Sequence, residues 1–394
     1  MSATNRQNRL LVAEDWKRVY QSFRNAEFQS YDFDNLRRTM INYLRENYPE
    51  DFNDYIESSE YLALIDMIAF LGQNLSFRID LNARENFIDL AERRESVLRL
   101  ARLLSYNVKR NQAANGLLKI DSIQTTESVI DANNVNLAGQ TIVWNDPSNE
   151  NWYEQFIKVM NAGLPVNNTF GRPTKSDTVS GIPTEQYRFN ALNTDTPVYS
   201  FSKTVEGANT TFEVVSTDIV NGEIVEEPPL LSNNLAMLYR DDGRGAGSTN
   251  TGFFAHFRQG TLAQGVFTVD QPVPNQIISV DARNVNNTDV WLYKIDSTGA
   301  ETEFWTKVDA VEGNNIIYNS LSKKIRNVYA ALTKADDRVN LIFSDGTFGN
   351  LPSGQFRVYY RSSANRRVSI QPSEIQAVTV VIPYLSRNGT VEEA

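Results

Sequence analysis

Apolar positions change their spacing once along this chain. From residue 32 to about residue 108 they recur at steps of three and four, the period of amphipathic helices. Leu36, Met40, Ile41 and Leu44 mark a first helix. Asp32 or Asp34 can cap its start. Tyr48-Pro49 ends it, because the residue before a proline avoids helical backbone. A second helix follows a cap at Ser58 or Ser59, with Leu62, Ile65, Ile68, Ala69, Leu71, Gly72 and Leu75 at its apolar positions. A third is predicted over residues 82–105, through Ala83, Phe87, Leu90, Ala91, Val97, Leu98, Ala101 and Leu104. On it Asp89 precedes Arg93, and Glu95 precedes Arg99, by one turn; each pair is worth about 0.2–0.5 kcal/mol.

The second helix is apolar around much of its girth, since Tyr61, Leu64, Met67 and Phe70 add to the first stripe. A helix of that kind is normally buried on most faces. Three helices joined by short connections have little else of their own to hide behind. Either the rest of the chain covers them or another chain does, and the pattern leaves both open. Burying a Leu, Ile or Phe side chain stabilises by roughly 1.5–3 kcal/mol, so a face of four or five can drive assembly.

Past residue 111 the helical period stops. Short runs rich in Val, Ile, Tyr, Phe and Thr, bounded by Gly, Pro, Asn and Asp, predict strands. They fall at 117–123, 141–144, 187–189, 198–201, 211–215, 237–239, 253–257, 265–269, 277–280, 290–295, 302–308, 315–318, 338–343, 356–360 and 375–382. A polar loop over 145–177 encloses a short helix or strand at 152–160. The class is α+β: a helical bundle segment at 1–110, a β-rich domain with long polar loops at 111–235, and a mainly antiparallel β domain at 236–394.

Charge and composition narrow the function classes. The 394 residues are 41% hydrophobic and carry a formal net charge of −10. Residues 1–110 hold 16 basic and 17 acidic side chains, so the acidity lies almost wholly in the back. An acidic surface repels phosphate backbones, which disfavours nucleic acid as a partner. Arg93, Arg94, Arg99 and Arg102 sit among acids and read as a solvated, self-paired face. The apolar run at 61–75 contains Asp66 and Gln73 and is shorter than the ~20 apolar residues a membrane span needs, so no insertion is expected.

Catalytic candidates are few. Cysteine is absent, which excludes disulfides and thiolate metal sites. His256 is the only histidine, set between aromatic residues in Phe254-Ala255-His256-Phe257, and reads as a core or interface residue. No Gly-x-Ser-x-Gly elbow accompanies it. The carboxylate pairs Glu226/Glu227, Asp241/Asp242 and Asp336/Asp337 are adjacent, so in extended chain they point to opposite faces. The glycine-rich stretch 241–248 lacks the Gly-Lys-Ser/Thr ending of a phosphate loop and reads as a flexible surface loop. The sequons at Asn167, Asn209 and Asn286 read as loop residues. No enzyme, cofactor or metal is expected.

Between the strands at 338–343 and 356–360 runs a shaped connection, Phe343-Ser344-Asp345-Gly346-Thr347-Phe348-Gly349-Asn350-Leu351-Pro352-Ser353-Gly354. Asp345-Gly346 supplies the local carboxylate bond and the positive φ that a tight turn needs, while the further oxygens of a calcium loop are missing. This segment resembles the turn of the baseplate wedge ring subunit of T4-like contractile-tailed phages, related to the baseplate J family, with Ser344 in place of a glycine. A second stretch shares the resemblance: Ala63-Leu64-Ile65-Asp66-Met67-Ile68-Ala69-Phe70, Arg84-Glu85-Asn86-Phe87, Ala91-Glu92-Arg93-Arg94-Glu95-Ser96-Val97 and Ala101-Arg102-Leu103-Leu104-Ser105-Tyr106.

The resemblance implies a structural subunit of the virion tail, assembled in the host cytoplasm. It implies a second copy of the chain, other wedge proteins, and sheath-initiating and hub proteins as partners. It turns the open choice above toward an intermolecular bundle, with Leu62, Ile65, Ile68, Leu71, Leu75, Phe87, Leu90, Val97, Leu98 and Ala101 at the interface. Phe343, Asp345, Gly346, Gly349, Pro352 and Gly354 form the structural turn. Members of that family usually continue into a dimerisation segment beyond the strand at 378–384. The alternative reading is a tail-associated protein that binds or cleaves polysaccharide, which needs an exposed aromatic platform beside two facing carboxylates.

Overall fold

The computed structural model describes residues 32–47, 60–104, 106, 108, 112–162, 173–192, 196–231, 235–309, 311, 325–334, 337–347, 349–364 and 368–394. The chain divides into two compact units, Met1–Tyr106 and Asn107–Ala394.

The first unit holds helices α1 (Phe33–Asn47), α2 (Glu60–Arg84) and α3 (Arg94–Leu103). Asp32 starts α1: its carboxylate accepts the Asp34 N–H at 2.8 Å and its carbonyl accepts the Leu36 N–H at 3.0 Å. The expected break at Tyr48-Pro49 and the Ser58/Ser59 cap lie outside the described residues. The third helix differs from expectation. α2 runs on to Arg84, and the helix expected from residue 82 begins only at Arg94. Glu85 is the reason. Its carboxylate accepts the Glu92 and Arg93 N–H groups, each at 3.1 Å, and so satisfies donors at the start of α3. A hydrogen bond with Ser96 and these backbone bonds hold its carboxyl below the usual range. Asp89 therefore lies in the connection, not one helical turn from Arg93.

The second unit begins with β1 (Asn115–Lys119), β2 (Ser122–Ile123) and β3 (Ile142–Val143), then helix α4 (Trp152–Ala162). There follow β4 (Lys175–Val179), β5 (Ile182–Phe189), β6 (Tyr199–Val205), β7 (Ala208–Val215), β8 (Thr217–Val220), β9 (Glu223–Glu226), β10 (Leu235–Arg240) and β11 (Gly252–Gln259). Seven of these strands form one sheet in the order β4-β5-β10-β11-β7-β6, with β1 also paired to β11. The ribbons β2–β3 and β8–β9 flank it. α4 turns Phe156, Ile157, Val159 and Met160 inward against Phe212, Phe253 and Phe257 of the sheet.

A second seven-stranded sheet uses β12 (Thr261–Val269), β13 (Ile277–Val280), β14 (Val285–Ile295), β15 (Glu301–Lys307), β16 (Val328–Thr333), β17 (Val339–Phe343) and β18 (Gly354–Ser362). Its order is β12-β18-β14-β15-β16-β17-β13. Every pairing in it is antiparallel except β15 with β16, where Thr306 faces Val328. Leu292, Trp305, Tyr329, Leu341, Phe343 and Phe356 fill its core.

Four expectations change here. The step between the sheets falls at residue 260, not 235. Residues 375–382 are not a strand; Pro372–Ile375 is a 3-10 turn, and the chain then lies across the first sheet, with Val378, Val380 and Ile382 against its core. It ends in the hairpin β19 (Pro383–Leu385) and β20 (Val391–Glu393). Asn209 lies in β7, and Asn286 is buried in β14, so neither is a loop residue. Finally, the glycine-rich loop is pinned: Trp144 Nε1 donates to Ala246 O at 3.0 Å, and Lys119 Nζ donates to Ser248 O at 2.8 Å. Asp242 accepts from Ser248 Oγ at 2.6 Å and from Thr251 Oγ1 at 2.9 Å. The strand expected at 315–318 lies outside the described residues.

Candidate assembly interface

Stepping 100° per residue divides α2 into three apolar stripes. The first is Leu62, Ile65, Ala69, Gly72 and Ser76, and it faces α1. Ile65 and Ala69 are 5% and 1% exposed, and Ile41 of α1 is buried too. Gly72 lets α1 approach; a Cβ there would lie 3.1 Å from Leu36 Cδ1. Beside this stripe Arg37 Nε donates to Asp66 Oδ1 at 2.7 Å.

The other two stripes are bare. Leu64, Ile68, Leu71, Leu75 and Ile79 repeat at steps of four, three, four and four, and each is 51–61% exposed. Met67, Phe70, Asn74 and Phe77 repeat at three, four and three, and the three large apolar ones are 59–66% exposed. Contiguous apolar surface on this scale marks an interaction site. Burying one stripe of five gives roughly 10 kcal/mol gross. Association itself costs about as much, so one stripe alone binds weakly and two buried together bind firmly.

The interface expected from the sequence therefore separates into groups. Ile68, Leu71 and Leu75 are exposed, Leu62, Phe87, Leu90 and Val97 are half-buried, and Ile65, Leu98 and Ala101 are covered within the chain. Phe77 and Ile79 were missed. The same three-and-four spacing carries on to them, past the polar residues Gln73, Asn74 and Ser76 that interrupt the apolar run. α2 is also longer than that run: Leu62–Arg84 is long and apolar enough to cross a membrane by length and composition, its most apolar 18-residue window having a mean hydropathy of 1.3. Asp66, Arg78 and Asp80 interrupt it.

The shaped connection lies at the other end of the molecule's sequence, between β17 and β18. Phe343 is fully buried, and Pro352 is buried. Asp345 Oδ1 accepts the Thr347 N–H at 2.9 Å, the local bond the sequence led one to expect. Gly346 and Gly354 have φ +87° and +93°, where a side chain is strained. Ser344, in place of a glycine, is fully buried and its Oγ accepts the Gly349 N–H at 3.0 Å. A Cβ on Gly349 would lie 2.7 Å from the Ser344 Cβ.

Little of this resembles a reaction centre. His256 is buried on β11; burial, with Arg258 and Arg361 nearby, pushes its imidazole down to about 4. Glu226 and Glu227 are each engaged by arginines. Among the described residues no group of three or more His, Asp or Glu side chains is placed to hold a metal ion.

Comparison with known families follows the same division of the chain. Residues 116–394 match a family described as a domain of unknown function (DUF8360). The chain belongs to this family. Residues 32–103 match the N-terminal domain of bacteriophage baseplate protein. That match covers the three described helices of the first unit and supports a phage baseplate structural protein, placed in the virion tail among other baseplate proteins. The shaped turn falls within the DUF8360 match, which assigns no function to it. No curated protein matches the chain.

Proposed function

We propose that the chain is a non-enzymatic structural subunit of the baseplate wedge, and that α2 is its docking helix. Two bare apolar stripes on a helix within the baseplate-matching segment carry this reading. Each stripe has the spacing that lets one helix seat knobs against another. α2 thus takes helices from neighbouring subunits on two sides, while α1 closes the third. A second copy of the chain and other wedge proteins supply those helices, and the sheets of the second unit form a rigid spacer. Family resemblance of the turn at 343–354 supports the wedge ring assignment and the link to hub and sheath-initiating proteins.

The two faces of α2 provide the test. Ile68→Asp with Leu75→Asp places charge in the bare stripe without touching the side covered by α1. The expected result is loss of assembly with itself and with purified baseplate partners in light-scattering mass measurements, at unchanged circular dichroism. Ile65→Asp buries a charge within the unit and is expected to unfold the helices instead. A Ile68→Asp/Leu75→Asp protein that assembles like the parent overturns the docking assignment. Flotation of the parent protein with lipid vesicles, without self-association, would assign α2 to lipid.

A further inference from the structure

The first sheet ends at Gln259 and the second begins at Thr261, so a single residue joins them. That residue is Gly260, with φ +119°, a conformation side chains rarely adopt. A Cβ there would lie 2.6 Å from the Ser362 carbonyl oxygen. The chain crosses back only after β18.

Over this joint sits a buried ionic knot. Arg361 on β18 is 0% exposed, the largest fully buried side chain among the described residues. Its Nε donates to Glu213 Oε2 at 3.3 Å, its Nη1 to Glu226 Oε2 at 2.8 Å and its Nη2 to Glu226 Oε1 at 2.7 Å. Glu213 belongs to β7 of the first sheet, and Glu226 to the β8–β9 ribbon beside it. Arg258 on β11 ties the same group together: its Nε donates to Glu226 Oε2 at 3.0 Å and its Nη2 to Asp289 Oδ1 at 2.8 Å. Asp289 lies on β14 of the second sheet. Glu213 Oε1 also accepts the Leu262 N–H at 2.7 Å, at the first turn of chain beyond the glycine. The bonds of Arg361 and of the Leu262 N–H to Glu213, and of Arg258 to Asp289, connect the two sheets, while those of Arg361 to Glu226 tie the second sheet to the ribbon.

We propose that Gly260 is a hinge between the two sheets and that the knot centred on Arg361 is the lock that holds it at one angle. The physical ground is a division of labour at the joint. Leu262, Tyr293 and Tyr359 of the second sheet pack against Val198, Leu230 and Leu231, which gives adhesion without direction. Charge-assisted bonds to a planar guanidinium are directional and hold geometry. A buried ion pair adds little net stability over apolar packing of the same volume, so its use here sets orientation. Hinges are a few element-terminal residues that absorb the change in backbone angle, and Gly260 stands at such a terminus. This holds whether or not α2 docks to other helices.

The absence of cysteine makes the test direct, because paired spin labels attach only where cysteines are introduced. Ser202→Cys on β6 and Gln355→Cys on β18 place one label on an exposed position of each sheet. In the full chain the label-to-label distance distribution is expected to be narrow. Arg361→Met alone strands buried carboxylates and is expected to destabilise the unit strongly, which confounds the reading of its angle. The informative variant is Arg361→Met/Glu213→Gln/Glu226→Gln, which removes the charges while keeping carbonyl acceptors for the Leu262 N–H and for Arg258. Its circular dichroism is expected to match the parent, with a distance distribution roughly twofold broader. A distribution as narrow as the parent's overturns the lock, because the apolar contacts would then fix the angle. Failure of the triple variant to fold overturns it too, since the charges would then be supporting the fold itself.

Discussion

At His256 an imidazole is shut away from water, with Arg258 and Arg361 near enough for their charges to act on it. Burial and the two guanidiniums hold its pKa at about 4, against 6.5 for an exposed histidine. The unfolded chain takes up this proton first as pH falls. Folding stability from this group is therefore full above about 6.5 and declines toward pH 4, by roughly 3 kcal/mol in all. Urea unfolding at several pH values is expected to show this slope, and His256→Gln is expected to flatten it. The sequence already favoured a core histidine from its aromatic neighbours. Arg258 stands two positions along the same strand, but Arg361 was not legible, because it is 105 positions away and arrives through the pairing of β18.

Elements followed their periodicity where neighbours agreed with it. α1, α2 and α4 lie where the three-and-four spacing and the 152–160 reading put them, and β13 has the expected bounds. α3 did not, since a carboxylate acting across the connection outweighed a continuous apolar period. β4, β8, β9 and β16 went unseen; β4, for example, is exposed along most of its length and gives little alternation. In the turn between β17 and β18, Gly349→Ala brings a methyl group to 2.7 Å from the Ser344 Cβ and 2.9 Å from Val328 Cγ2. It is expected to lower the thermal midpoint of the second unit, while Gly389→Ala, also in a turn but with open space around it, costs only the strain of its positive φ. A smaller loss for Gly349→Ala than for Gly389→Ala would show that the close approach is not what fixes glycine there.

For the whole molecule, the last 27 residues bind the second unit together. Tyr384 is buried, with its hydroxyl 2.7 Å from Thr125 Oγ1 and donating to Glu127 Oε2 at 2.9 Å. Glu393 O accepts the Thr126 N–H at 3.0 Å, and Leu385 N–H reaches Asn190 O at 3.0 Å. The final strands thus close onto segments more than 190 positions earlier. Tyr384→Phe leaves Thr125 and Glu127 without that partner in a buried place, a loss of about 1–3 kcal/mol by chemical denaturation. Arg361→Met is expected to cost more, about 3–5 kcal/mol, because it strands charges and not only dipoles. Equal losses for the two would mean that the knot's carboxylates find water or other partners.

Local order in the sequence determined the α+β class, the helical front, the strand-rich back and the tight turn at Asp345-Gly346, because spacing, caps and turn residues act over a few positions. The second apolar stripe of α2 was also legible in principle, as a continued three-and-four spacing. Which stripe is covered was decided only in three dimensions, by α1 meeting the small residues Ala69 and Gly72 and leaving Ile68, Leu71 and Leu75 open. The boundary at Gly260, the return of residues 368–394 across the first sheet and the convergence of Glu213, Glu226, Asp289, Arg258 and Arg361 were decided there as well. Those contacts join residues up to 267 positions apart, and no local pattern encodes which distant strand becomes a neighbour.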